Sequence, residues 1–150
     1  MKTVQEWLAE YNESHLNPTN KMIHWICVPA ILFTIIGILM HLSALLTALL
    51  LVLSLIFYAR LDLVLAIAMA AVLGAMSTLI LILPVGKPFY FALFVVAWVG
   101  QFYGHKVEGK KPSFFKDVQF LLIGPIWCMD ALLGKTLPKW RFRNPALASA

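Results

Sequence analysis

The chain has few charged residues and few cysteines, and both shortages narrow the classes of protein to which it can belong. Only 13% of its 150 residues are charged, against about a quarter in ordinary soluble domains. Cys27 and Cys128 lie among apolar residues and outside any CxxC pair, which argues against a disulfide framework or a zinc knuckle. The chain also lacks a GxGxxG or P-loop motif, so no dinucleotide or nucleotide phosphate site is indicated.

Two further features are missing from the sequence. Glu6, Glu10 and Glu13 occupy the region where the apolar core of a secretory signal would lie, so we expect the first membrane span to act as its own insertion signal. No stripe of alternating basic and aromatic residues supports nucleic-acid binding. The net charge of +5 is therefore interpreted as anchoring to the cytosolic face and to anionic membrane lipid.

The abundant feature is apolar sequence, which makes up 61% of the chain and lies in long runs. These runs predict an all-α integral membrane bundle in a single domain, 1–150. We expect four transmembrane helices, at about 22–41, 43–58, 63–83 and 89–103. An amphipathic N-terminal helix is predicted at about 3–14, and an interfacial or re-entrant helical pair, broken at Gly124-Pro125, at about 117–134.

The distribution of basic residues predicts the orientation in the membrane. With four spans, eleven of the twelve lysines and arginines fall on the side that carries both termini, and only Lys87 falls on the other. The positive-inside rule therefore places both termini in the cytosol. A bacterial inner membrane and an endoplasmic reticulum both fit this topology.

Three of the four histidines fall at the cytosolic boundary by this topology. His24 opens the first span, His105 closes the fourth, and His15 precedes the first span by a short segment. Asn17 and Pro18 form a helix-start signal, and the turn that they predict allows His15 to fold back toward His24. His41 lies at the far end of the first span and is interpreted as an interfacial residue.

Three imidazoles at one depth could share a metal ion, and imidazole suits iron, zinc, copper and nickel. Glu108, three residues after His105, is the candidate carboxylate as ligand, base or hydrogen-bond acceptor, and its presence favours non-haem Fe(II). Asn17, Asn20 and Gln101 could orient the imidazoles. From spacing alone, histidines that only bind lipid headgroups remain an alternative.

Two segments carry a resemblance to a known family. These are Tyr11-x3-His15-x-Asn17-Pro18-x-Asn20-x3-His24 and Gln101-Phe102-x-Gly104-His105-x2-Glu108. Together they resemble the membrane Fe(II)-dependent 2-hydroxy fatty acid dioxygenases.

The resemblance implies a catalytic site made of His15, His24, His105 and Glu108, with Fe(II) on the three histidines. It also implies that a 2-hydroxy fatty acid and O2 give the acid one carbon shorter, with CO2 and water. Two alternatives stay open at this point. One is a metal or small-solute transporter, although transporters usually bind their solute near the midplane. The other is a non-catalytic membrane scaffold.

Overall fold

The computed structural model describes residues 2–109 and 114–136, with side chains at 2–109 and 120–131. Within these ranges the secondary structure is entirely α-helical, which confirms the predicted fold class for the described residues. The helices are α1 (Val4–Asn12), α2 (Pro18–Leu42), α3 (Ala44–Leu61), α4 (Leu63–Ile82), α5 (Lys87–Glu108) and α6 (Phe114–Thr136).

Short polar residues set where the helices begin. Asn17 caps α2 by accepting hydrogen bonds from the backbone N–H groups of Thr19 and Asn20, and Pro18 takes the first helical position. Ser43 ends α2 and caps α3, and Asp62 does the same between α3 and α4. Because one residue joins each pair, α2, α3 and α4 form consecutive antiparallel hairpins.

Helices α2, α3 and α4 are each long and apolar enough to cross a membrane. Their outward faces carry large exposed apolar side chains such as Leu45, Ile67 and Leu81. A protein surface in contact with water rarely has so extensive an apolar patch. These three helices fit a membrane protein. Helix α5 is as long, but Gln101 and His105 make it more polar, so the fourth span remains a prediction, as do the surface positions of α1 and α6.

The most extensive helix pairing joins α2 to α5, and glycines permit it. A Cβ on Gly37 would collide with the ring of Tyr90, and one on Gly100 would lie 2.6 Å from Sγ of Cys27. Small residues at helix contacts let backbones approach closely, as in many membrane bundles. Helix α5 is therefore held tightly along α2.

Helices α1 and α6 pack together over the end of the bundle where α2 begins. The indole N–H of Trp127 donates to Oδ1 of Asn12 at 2.6 Å. Helix α6 continues through Pro125 as one helix, so the break predicted at Gly124-Pro125 is wrong. Proline removes the backbone N–H that would bond the Leu121 carbonyl one turn earlier. The buried Tyr58 hydroxyl donates to the next carbonyl, that of Leu122, at 2.9 Å.

Candidate metal centre

The structure brings His15, His24 and His105 together in the interior. Their exposed fractions are 3%, 1% and 7%. The ring centroids of His15 and His24 lie 4.3 Å apart, those of His24 and His105 4.9 Å, and those of His15 and His105 5.6 Å. One ring nitrogen from each histidine lies within 4.8 Å of the other two. No other group of three potential metal ligands occurs among residues 2–109 and 120–131, whose side chains the structure describes.

The segment between α1 and α2 carries His15 into this position. The ring of His15 stacks on Tyr11 with a centroid distance of 4.2 Å and an interplanar angle of 1°. Nδ1 of His15 lies 2.6 Å from the carbonyl oxygen of Tyr11. Trp127 of α6 packs against the edge of this pair, with its ring centroid 5.4 Å from that of His15 and 5.3 Å from that of Tyr11. The ring is thus fixed between a helix end and an aromatic cover.

Backbone carbonyls define which nitrogen each ring presents. Nδ1 of His24 lies 3.0 Å from the carbonyl oxygen of Asn20, one turn earlier in α2. A carbonyl oxygen only accepts, so Nδ1 carries the hydrogen and Nε2 presents a lone pair. The same reasoning applies to His15 and the Tyr11 carbonyl. Nε2 of His24 is buried and has no hydrogen-bond partner among the described residues, which leaves it for a ligand.

Glu108 lies beside the histidines and holds the segment that carries His15. Its two carboxylate oxygens accept from the backbone N–H groups of Leu16 and Asn17, each at 2.9 Å. The side-chain amide of Asn20 also donates to Oε2 at 3.0 Å and donates to the Ser14 carbonyl at 3.0 Å. Glu108 therefore ties the end of α5 to the turn before α2. Its catalytic role stays a prediction.

These contacts determine the ionisation of Glu108. Burial alone would raise the pKa of the carboxyl group, but the hydrogen bonds from Asn17, Asn20 and Leu16 favour the charged form. Their combined effect holds the pKa of Glu108 below its ordinary value. The carboxylate is accordingly charged at neutral pH, and in this charged form it accepts all three hydrogen bonds.

Gly104 allows α5 to reach the histidines. A Cβ at this position would collide with Oδ1 of Asn20 and would lie 3.2 Å from Cε1 of His24. Only hydrogen at this position lets the α5 backbone pass so close to both side chains. The glycine before His105 therefore controls the separation between His105 and the histidine of α2.

The remaining predicted site residues lie around this core. Asn17 caps α2, Asn20 is fully buried, and Gln101 is half-buried on α5 one turn before His105. Sequence reasoning gave no role to Trp127, for which the sequence offers no signal. Tyr11 stands four residues before His15 in the first motif, and sequence reasoning gave it no role of its own. His41 lies at the far end of α2 against Tyr90, apart from the three.

The donor set fits a first-row transition metal. Bonds from zinc to imidazole nitrogen are about 2.0–2.1 Å, so the nitrogens of a tetrahedral site lie about 3.4 Å from one another. The ring nitrogens of the three histidines lie within 4.8 Å of one another, so they would approach by at most about 1.4 Å to share one ion. Nitrogen-only ligation agrees with iron, zinc, copper or nickel and disfavours magnesium or calcium.

Comparison with known proteins identifies the family of the chain. Residues 1–136 match the model of a protein family described as 2-hydroxy-palmitic acid dioxygenase Mpo1-like. The chain belongs to the Mpo1-like family. The family suggested by the two histidine motifs is thereby confirmed, because the matched residues include both motifs.

One curated relative that is similar in sequence to this Mpo1-like chain comes from yeast. The chain is 34% identical over 136 residues to the 2-hydroxy-palmitic acid dioxygenase MPO1 of Saccharomyces cerevisiae. The aligned part covers 85% of this chain and 78% of the yeast protein. No solved structure matches the chain significantly.

Proposed function

We propose that this chain is an iron-dependent dioxygenase that shortens 2-hydroxy fatty acids by one carbon. The observation that carries the proposal is the group of three buried imidazoles, His15, His24 and His105, in a member of the Mpo1-like family. The yeast relative acts on 2-hydroxy-palmitic acid by its name, and the apolar helices of this chain suit a lipid substrate.

The overall reaction balances without a further cofactor. The carboxyl carbon of the 2-hydroxy acid leaves as CO2, and the hydroxyl-bearing carbon becomes the carboxyl carbon of the shortened acid. These changes release four electrons, which together with the protons of the substrate reduce O2. One oxygen atom enters the new carboxyl group and the other leaves as water.

The residues of the chain would divide the work as follows. His15, His24 and His105 would hold the ion, and Fe(II) bound there would supply the redox chemistry by which O2 reacts. Tyr11 and Trp127 cover His15 and exclude water from that side. Both oxygens of Glu108 are already engaged by N–H groups, so this carboxylate supports His15 through the turn.

The proposal includes the predicted topology. Four spans with cytosolic termini would place the histidines near the cytosolic surface, with α1 and α6 above them. Lys106 is exposed directly after His105 and would attract the carboxylate of an approaching substrate. Lys110 and Lys111 could do the same and lie outside the described residues.

Anaerobic reconstitution tests the proposed function. The purified protein is loaded with Fe(II), mixed with 2-hydroxyhexadecanoic acid, and then exposed to O2. We expect the acid shortened by one carbon and an equal amount of CO2. Loading with Zn(II) in place of Fe(II) is the matched control and should give neither. The absence of product over a range of chain lengths would refute the proposed activity.

A further inference from the structure

A cavity of about 360 Å³ lies between α2, α3, α4 and α6. Leu32 and Leu39 mark its extent along α2, and Leu121 and Leu122 line it from α6. Leu50 and Leu53 line it and are 39% and 51% exposed, so it opens on the outer face of α3. Its volume falls in the range of about 300–1,000 Å³ typical of small-molecule sites.

The walls of this cavity offer little to a polar ligand. Of its polar side chains, Thr47 donates to the Ser43 carbonyl at 2.8 Å, and Ser54 donates to the Leu50 carbonyl at 2.8 Å. The third, Tyr58, donates to the Leu122 carbonyl. Because these hydroxyl hydrogens are used by the backbone, a ligand that fits here must bring almost no hydrogen-bonding groups. An alkyl chain meets this condition.

Helix α6 connects the cavity to the histidines. Leu122 forms the cavity wall, and Trp127, just over one turn later, packs against His15. Between them Gly124 contacts Val28 of α2, and a Cβ there would lie 3.0 Å from Cγ1 of Val28. Val28 is one turn, or about 6 Å, beyond His24 along α2. The cavity begins past this contact at Leu32, about two turns or 12 Å beyond His24.

The length of this region suits a membrane lipid chain. Leu32, where the cavity begins, lies about 12 Å beyond His24 along α2, and Leu39 lies about 22 Å beyond it. A hydrocarbon core about 30 Å thick is two acyl chains deep, so one chain extends about 15 Å. A ligand whose polar head lies at the histidines would thus bring the end of its tail into the cavity, and a longer chain would reach deeper.

We propose that this cavity holds the alkyl tail of the 2-hydroxy acid and that its depth sets the preferred chain length. The assignment rests on the proposed function, because that function places the polar head at the histidines. Ser54 and Leu39 control the cavity from two positions. A larger side chain at Ser54 narrows it, and a smaller one at Leu39 extends its far end.

The test compares Ser54→Phe with Leu49→Phe, which adds the same ring to an exposed position of α3 that does not line the cavity. Turnover is measured with 2-hydroxy acids of eight and sixteen carbons, and retention of the longer acid is measured by native mass spectrometry from nanodiscs. We expect Ser54→Phe to lower the ratio of long-chain to short-chain turnover about 10-fold or more, and Leu49→Phe to leave it unchanged.

Leu39→Ala enlarges the cavity, whereas Ser54→Phe narrows it, so a variant that merely fails to fold cannot give both expected results. It should shift the optimum toward longer acids. Unchanged chain-length profiles and unchanged retention in both cavity variants would overturn the tail assignment while leaving the dioxygenase proposal intact. Loss of a copurifying phospholipid in Ser54→Phe, with substrate retention unaffected, would also overturn it.

The reverse result separates the two proposals. The wild-type protein could turn over no 2-hydroxy acid but still retain the long acid, with retention abolished by Ser54→Phe. That result would support the tail assignment and refute the proposed reaction.

Discussion

Asn20 and Glu108 lie 88 positions apart in the sequence and share a hydrogen bond of 3.0 Å beside the histidines. Asn20 stands one turn before His24 on α2, and Glu108 stands one turn after His105 on α5. The same carboxylate holds the backbone of the turn that carries His15. The Glu108 carboxylate therefore joins all three segments that supply an imidazole.

Replacing a histidine of the cluster should remove the metal. We expect His105→Ala to lower the affinity for Fe(II) at least about 100-fold and to abolish product formation, because two imidazoles remain and a buried space is left at the third. Iron content after gel filtration and product yield measure the two effects. His41→Ala, at the far end of the same bundle, is the control and should retain both. Equal iron content in the two variants would exclude the cluster as the metal site.

Glu108 should act through the position of His15. Glu108→Gln keeps the shape but turns an amide NH2 group toward backbone and side-chain donors, and Glu108→Ala removes every acceptor. We expect Fe(II) affinity to fall about 10-fold to 100-fold, more for alanine than for glutamine. Competition with a chromogenic chelator gives the affinity. If iron affinity in both variants matches the wild type, the carboxylate does not position the site.

The lowered pKa of Glu108 predicts an acid limb in stability. A carboxyl group whose pKa is lower in the folded than in the unfolded protein stabilises the fold above the unfolded pKa. That contribution is lost as the pH falls through the folded pKa. Thermal unfolding in detergent, without metal, should therefore show a decrease below about pH 4.5 that is smaller in Glu108→Gln. Identical pH profiles for the two proteins would contradict this account.

Gly104→Ala should disturb the site even though alanine favours helices. In an open helical position the change stabilises by about 0.5–1 kcal/mol. At Gly104 the new methyl group meets Asn20 and His24, so α5 must move away, and we expect lower thermal stability and weaker iron binding. Gly74→Ala is the matched control, since nothing lies within 4 Å of its Cβ position. A stabilised Gly104→Ala with normal iron binding would disprove the close approach.

The sequence allowed the helical class and the histidine cluster to be anticipated for physical reasons that can be named. An apolar run in a bilayer can satisfy its backbone hydrogen bonds only as a helix or within a closed barrel. The imbalance of basic residues predicts that His15, His24 and His105 lie on one side of the membrane. Asn17 and Pro18 mark the turn that lets His15 fold back. These arguments use only local chemistry and depth.

Other parts of the site could not be obtained in this way. The partners of Glu108 are backbone N–H groups, which every residue except proline has, so no sequence pattern identifies them. The role of Gly104 depends on which helix faces it, and Trp127 reaches His15 only because α6 continues through Pro125. The cavity is enclosed by four helices, and its volume depends on their packing distances.

The separation of the three imidazoles along the chain has a consequence for biogenesis. His105 follows His24 by 81 positions, so the ribosome adds 80 further residues after His24 before it reaches the third ring. The cluster can form only after α5 has docked on α2. On the proposed function, metal loading is then a late event in maturation, and a nascent chain stalled before α5 should emerge without iron.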